Sequence, residues 1–169
     1  MDRKIKTISD SVGDLLVKQI AHELFNHNLY RTFANFFALE GIVSLEKYYI
    51  ARAEEELVHH RWIVDRLNEA DYDFMYPAVE AVTEKFEDIV DPFKLTVLKE
   101  IETTELINKI ADEAFKECDW QTLTWLQLKL IPEQHEEETT SRTALDIIAK
   151  KDDCSIYEKA EEVYELLKD

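Results

Sequence analysis

The sequence predicts an all-α fold: a four-helix bundle with one long crossover and a short C-terminal fifth helix. Three observations carry this expectation. Only two Gly and three Pro occur in 169 residues, so little in the chain interrupts a helix. Apolar side chains recur every three or four residues through four long stretches. One segment of about twenty residues, Asp71 to Pro92, holds two of the prolines and lacks that period. It is too long for a helix–helix turn and reads as a crossover or a functional loop, and a bundle with one such connection is a standard arrangement. At this length one domain spanning residues 1–169 accommodates the whole pattern.

The first helix starts after Ser9 or Asp10 and runs to about Leu39, where Glu40 and Gly41 offer a stop. Its inward stripe is Val12, Leu16, Gln19/Ile20, Glu23, His27, Tyr30, Ala34 and Phe37. Ser44 caps a second helix to about Ala70, with Leu45, Tyr49, Arg52, Glu56, His59, Ile63 and Leu67 inward. Asp91 and Pro92 pair an N-cap with a proline at the first helical position, opening a third helix through Phe93, Glu100 and Ile107. Asp119 caps a fourth helix from about Trp120 to Ala149. A short amphipathic helix then carries Ile156, Ala160, Val163, Tyr164 and Leu167.

The formal net charge of −17 argues against nucleic acid or an anionic membrane surface as partner and suits cations. Cys118 and Cys154 stand far apart with no CxxC, which offers neither a disulfide framework nor a zinc or iron–sulfur site. The N-terminus is charged and lacks an apolar signal-peptide core, and no apolar run approaches membrane-spanning length; a cytoplasmic protein is expected.

The inward stripes carry acids. Each long helix places at least one Glu on its apolar line near mid-length: Glu23, Glu56 with His59, Glu100, and Glu133 with Glu137. A buried, unpaired carboxylate costs several kcal/mol. Either the fourth helix faces solvent at Glu133–Glu138, or something positively charged lies inside. One inward Glu is commonly a misaligned stripe, but four at the same level of an antiparallel bundle converge, and they repel unless a cation neutralises them. Glu56 and His59, three residues apart, share a helix face and can ligate one ion. A carboxylate-rich set with one imidazole suits iron or manganese rather than zinc. Tyr30, two turns from Glu23, either hydrogen-bonds a ligand or is a core tyrosine. His22, His27, His60 and His135 read as surface or cavity-lining imidazoles.

These residues resemble the non-haem bacterial ferritins across nearly the whole chain. The resemblance rests on Glu23 with Tyr30, on Glu55, Glu56 and His59, on Glu100, on the stretch Asp119–Gln127, and on Glu133–Glu138. It implies the ferritin-like bundle and a ferroxidase centre in which Glu23, Glu56 and His59 hold one iron. Glu56 would bridge to a second iron held by Glu100 and Glu137, with Gln134 close by. A third, weaker iron position would use Glu55, Glu133, Glu136 and Glu137. It further implies Fe(II) and dioxygen or hydrogen peroxide as reactants, ferric storage, and a homo-oligomeric cage of twenty-four subunits. The haem-binding relatives are set aside: the only Met residues are Met1 and Met75, and no second ExxH occurs on helix four. Rivals of other kinds are a non-storing di-iron oxidase or peroxidase of the same superfamily, and a non-enzymatic acidic scaffold.

One departure from the family pattern stands out. Between Gln127 and Glu133 the chain has one extra residue, in a segment that contains Pro132. The expectation is a π-bulge near Leu128–Pro132 that restores the inward phase at Glu133.

Overall fold

Three of the long helices end in the same way, and the endings set the topology. The structure, a computed structural model, describes residues 6–167. The charged opening residues 1–5, part of the stretch read above as lacking a signal-peptide core, lie outside the described residues, as do residues 168–169. Helix α1 spans Asp10–Leu39, α2 Val43–Glu69 and α3 Asp91–Lys116. After α1, Gly41 at φ +74° lets the Ile42 amide donate to Phe37 O at 3.0 Å and the Gly41 amide to Ala38 O at 3.2 Å. This Schellman pairing satisfies carbonyls that the helix leaves without partners. Asp71 (φ 51°) and Cys118 (φ 56°) repeat it after α2 and α3 without the help of a glycine.

The N-termini follow the caps in part. Ser9 Oγ accepts from the Val12 amide, and Asp119 Oδ1 from the Thr122 amide at 2.9 Å. Ser44 does not cap α2. The helix starts one residue earlier, with Ile42 at the cap position and no side-chain cap, and the Ser44 hydroxyl donates to Glu161 instead. Likewise Asp91 is the first residue of α3 rather than its cap. The last helix, α6 at Ile156–Glu165, begins with a reciprocal capping box between Ser155 and Glu158.

The fourth rod is broken. It consists of α4, Trp120–Leu128, and α5, Leu130–Ala149, separated by Lys129 at φ −122°, ψ −79°. The expected π-bulge is not what absorbs the extra residue; a one-residue break does. The consequence for Pro132 is direct. It falls in the first turn of a new helix, where backbone amides have no intrahelical acceptor and a missing N–H costs nothing. The phase also changes. Inward positions run Thr122, Leu126, Leu130, Gln134, Glu137, Ser141, Ala144 and Ile148, so Gln134, and not Glu133, takes the buried place one turn beyond Leu130.

The core divides into two apolar clusters. One gathers Leu29, Phe33 and Phe37 of α1, Leu45, Tyr48 and Tyr49 of α2, and Phe93 of α3. Phe37 stacks on Tyr49 with ring centroids 5.5 Å apart. The other gathers Val12, Leu16 and Ile20 with Ile63, Leu67, Ile107 and Leu126. The start of α3 thus lies beside the end of α1 and the start of α2. The segment from 71 to 90, which forms no regular element, therefore runs the length of the bundle as a crossover. It lays Tyr72 and Phe74 on one cluster and Val82, Phe86 and Ile89 on the other. Tyr72 passes so close to α1 that a Cβ at Gly13 would sit 2.3 Å from its ring, and its hydroxyl donates to Asp14 at 2.7 Å. Among the described residues no helix is long and apolar enough to cross a membrane.

Candidate metal centre

Between the two apolar clusters lies a layer of buried polar side chains, one set from each rod. Helix α1 supplies Gln19, Glu23 and Asn26; α2 supplies Arg52, Glu56 and His59; α3 supplies Glu100 and Thr103; α5 supplies Gln134 and Glu137. Helical spacing accounts for the layer. Residues four and seven apart share a face, so the stripe that buries Leu16 and Ile20 also carries Glu23 inward. The one that buries Tyr49 and Ile63 carries Arg52, Glu56 and His59 with it.

Glu23, Glu56 and His59 come together: each offers a ligand atom, and these atoms all lie within 4.8 Å of one another. All three side chains are buried. Gln19 donates to Glu23 Oε1 at 2.7 Å, but Glu23 Oε2 and Glu56 Oε2 have no donor from outside the pair, and the two carboxyls lie close enough to share a proton. Burial pushes both carboxyls well above the usual carboxylate range, and their acidic neighbours push further: Glu56 acts on Glu23, and Glu137 and Glu100 act on Glu56. Two orphaned carboxylate oxygens facing an imidazole form a donor set that a divalent cation satisfies. Iron fits these residues.

Glu100 is a different environment. Tyr30 donates its hydroxyl to Glu100 Oε1 at 2.5 Å, and Gln134 Nε2 donates to Glu100 Oε2 at 2.9 Å. Arg52 donates Nη2–H to Glu100 Oε1 at 2.8 Å. Tyr30 is thus a donor to a carboxylate of the layer, held as a phenol by burial and by the Glu100 charge. Arg52 Nη1 donates to Glu55 Oε2 at 2.8 Å and lies 3.0 Å from Glu137 Oε1. That second contact is an ion pair, too far off the N–H direction for a hydrogen bond, and it leaves Glu137 Oε1 without a donor. Burial raises the Glu137 carboxyl to about 8, although Arg52 pulls the other way. Burial also opposes the charge on Arg52, but Glu137 and Glu100 outweigh it and the guanidinium stays firmly protonated.

Glu55, Glu133, Glu136 and Glu137 line one small cavity of about 70 Å³, with Arg52 at its floor and Leu167 at its edge. Glu133 is half-exposed, and its Oε1 lies 4.0 Å from His59 Nε2. Among the described residues, Glu23, Glu56 and His59 form the one group whose ligand atoms lie within reach of a single ion; Glu100 and Glu137 meet the Arg52 guanidinium instead, and Glu55, Glu133 and Glu136 line the adjoining cavity with Glu137. His135 is exposed, and Glu138 turns away to accept from Thr104 at 2.8 Å. His22 pairs with Thr103 at 2.7 Å, and His27 with the Ala53 carbonyl at 2.9 Å.

Sequence reasoning gave Arg52 no role. It was present on the inward stripe, one turn before Glu56, and a cation on that line was the signal that the carboxylates had a partner inside.

A family description, the Ferritin-like domain, matches residues 13–150. The chain is 28% identical over 148 residues to a bacterial non-heme ferritin of Staphylococcus epidermidis, covering 85% of this chain and 89% of that one. It is 29% identical over 141 residues to a bacterial non-heme ferritin of Campylobacter jejuni, covering 83% and 84%. Its fold is similar to that of an open-pore ferritin of the archaeon Archaeoglobus fulgidus, with a TM-score of 0.87 at 23% identity over 94% of this chain and 98% of that one. By the match over residues 13–150, the chain belongs to the ferritin-like domain family.

Proposed function

We propose that this chain is a ferritin subunit that oxidises Fe(II) inside its own bundle and stores the ferric product in a cytoplasmic homo-oligomeric cage, of twenty-four subunits by the family resemblance. The observation that carries the reading is the pair of orphaned carboxylate oxygens, Glu23 Oε2 and Glu56 Oε2, beside His59 in a dry layer. Fe(II) is the substrate. The acidic surface draws it in, Glu23, Glu56 and His59 bind the first ion, and Glu56, Glu100 and Glu137 are the groups for a second. Gln134 and Tyr30 hold Glu100 in place. Glu55, Glu133 and Glu136, with Glu137, form the open acidic space through which ions pass or wait as a third position. Dioxygen or hydrogen peroxide accepts the electrons. Assembly has support in the exposed apolar run of Phe115, Trp120 and Leu128, where Phe115 and Trp120 meet edge to face at 5.7 Å; a larger assembly covers such a surface.

The test is aerobic addition of Fe(II) followed by size exclusion with iron analysis. A large particle that colours and retains iron is expected. Colour without retained iron supports a non-storing oxidase, and no colour with no bound metal supports a scaffold. Glu56→Ala removes the carboxylate shared by both ions and is expected to lower the initial oxidation rate at least tenfold, about 1.4 kcal/mol of barrier; an unchanged rate refutes the role of Glu56.

A further inference from the structure

We propose that Arg52 is a built-in cation that occupies the second metal position, so that the bundle interior takes one divalent ion per subunit while its guanidinium is in place. This rests on Glu23, Glu56 and His59 being a metal position, as read above. The guanidinium reaches the two carboxylates of the second position that the first position does not use, at 2.8 Å from Glu100 Oε1 and 3.0 Å from Glu137 Oε1. Its side chain is 4% exposed. A metal ion bonded to both carboxylates, at the roughly 2.0–2.2 Å that such bonds require, would stand where those nitrogens are. It would also set two positive charges against a guanidinium that does not deprotonate in proteins.

Hydrogen bonding distinguishes Glu100 from the first position, whereas Glu137 Oε1 lacks a donor and meets Arg52 only as an ion pair. Glu100 already accepts from Tyr30, Arg52 and Gln134. Glu23 Oε2 and Glu56 Oε2 accept from no group outside the pair. The charges divide alike. An ion that displaces the protons of Glu23 and Glu56 meets two carboxylates, whose charge one divalent ion balances. Glu100 and Glu137 already share a cation. Arg52 also has somewhere to go, because its Nη1 is bonded to Glu55 Oε2, and the more exposed Glu55 lines the acidic cavity. A second ion enters only if Arg52 withdraws toward Glu55, which makes loading stepwise and Arg52 the residue that sets the second step.

The experiment uses crystals of the full chain, soaked without oxygen in excess Co(II), with anomalous scattering at the cobalt edge. One interior peak bounded by Glu23, Glu56 and His59 is expected. In Arg52→Gln two interior peaks are expected, about 3.5–4 Å apart, the second between Glu100 and Glu137. Arg52→Lys keeps a positive charge and is expected to return to one peak; it also guards against a glutamine variant that fails to fold. Two interior peaks in the unaltered chain overturn the role of Arg52 and leave the metal reading intact. One peak in Arg52→Gln likewise overturns it. No interior peak in any of the three overturns both.

Discussion

With metal removed by a chelator, the protein is expected to lose stability as pH rises from 6.5 to 8. The folded Glu137 carboxyl titrates near 8 against an ordinary 4.5, so in this window the folded state holds a proton that the unfolded chain has already released. Raising pH therefore favours unfolding, by about 1.4 kcal/mol per pH unit for one such group. Integrated to pH 8, Glu137 alone removes roughly 1.5–2 kcal/mol, a sizeable part of a typical 5–15 kcal/mol. Glu23 and Glu56 are raised in the same direction and each adds to the slope while it remains protonated. His22 works oppositely. Burial lowers its pKa, so its contribution grows with pH until the unfolded imidazole is deprotonated, about a unit above 6.5, and offsets about 0.4 kcal/mol of the fall at the start of the window. The assay is guanidinium denaturation at fixed protein concentration, at pH 6.5, 7, 7.5 and 8, with chelator and with a divalent ion. The midpoint should fall with pH under chelator and rise with pH when metal takes the place of the protons. A flat or rising midpoint under chelator refutes the claim that these carboxylates are buried together without sufficient positive charge.

Two substitutions test how the sequence places the layer. Pro132→Ala should change stability by less than about 0.5 kcal/mol, whereas relieving a proline in a helix interior would gain about 3 kcal/mol; thermal or chemical denaturation separates these outcomes. Gly13→Ala should push the Tyr72 ring away and break its hydrogen bond to Asp14, costing about 1 kcal/mol. The same change in a Tyr72→Ala background should cost less than half of that, and full additivity would show that the close approach is immaterial.

Much of this fold was legible because helix ends announce themselves locally. Ser9 and Asp119 cap where their side chains suggest, and Gly41 turns the first hairpin. Ser44 misled because a serine beside a helix start is only one candidate; here the preceding Schellman turn already fixes where α2 begins, and the hydroxyl finds Glu161 instead. Asp71 and Cys118 adopt the left-handed conformation with no glycine to signal it. Asp tolerates that conformation better than most residues, so Asp71 was a weak local signal, while Cys118 offered none.

The error in the fourth rod has a similar origin and reaches the site. Counting by threes and fours through Leu130 selects Glu133 as buried, since periodicity assumes an uninterrupted helix. The break at Lys129 restarts the count, so Gln134 faces Glu100 and Glu133 faces the open cavity. Glu137 stays inward on either count. The acidic stretch therefore divides between a buried layer and a more exposed cavity, and Arg52 stands at the boundary. The sequence posed a choice for that stretch, solvent on one side or a cation inside, and the structure supplies both. Glu133 and Glu136 line the open cavity, while Glu137 lies 3.0 Å from a guanidinium carried by another helix. Periodicity could place Arg52 on the inward line of α2, but its partners lie on α3 and α5, 48 and 85 residues further along. Only the packed bundle brings those charges together, so the inward line of each helix could be read from the sequence while the charge balance between the helices could not.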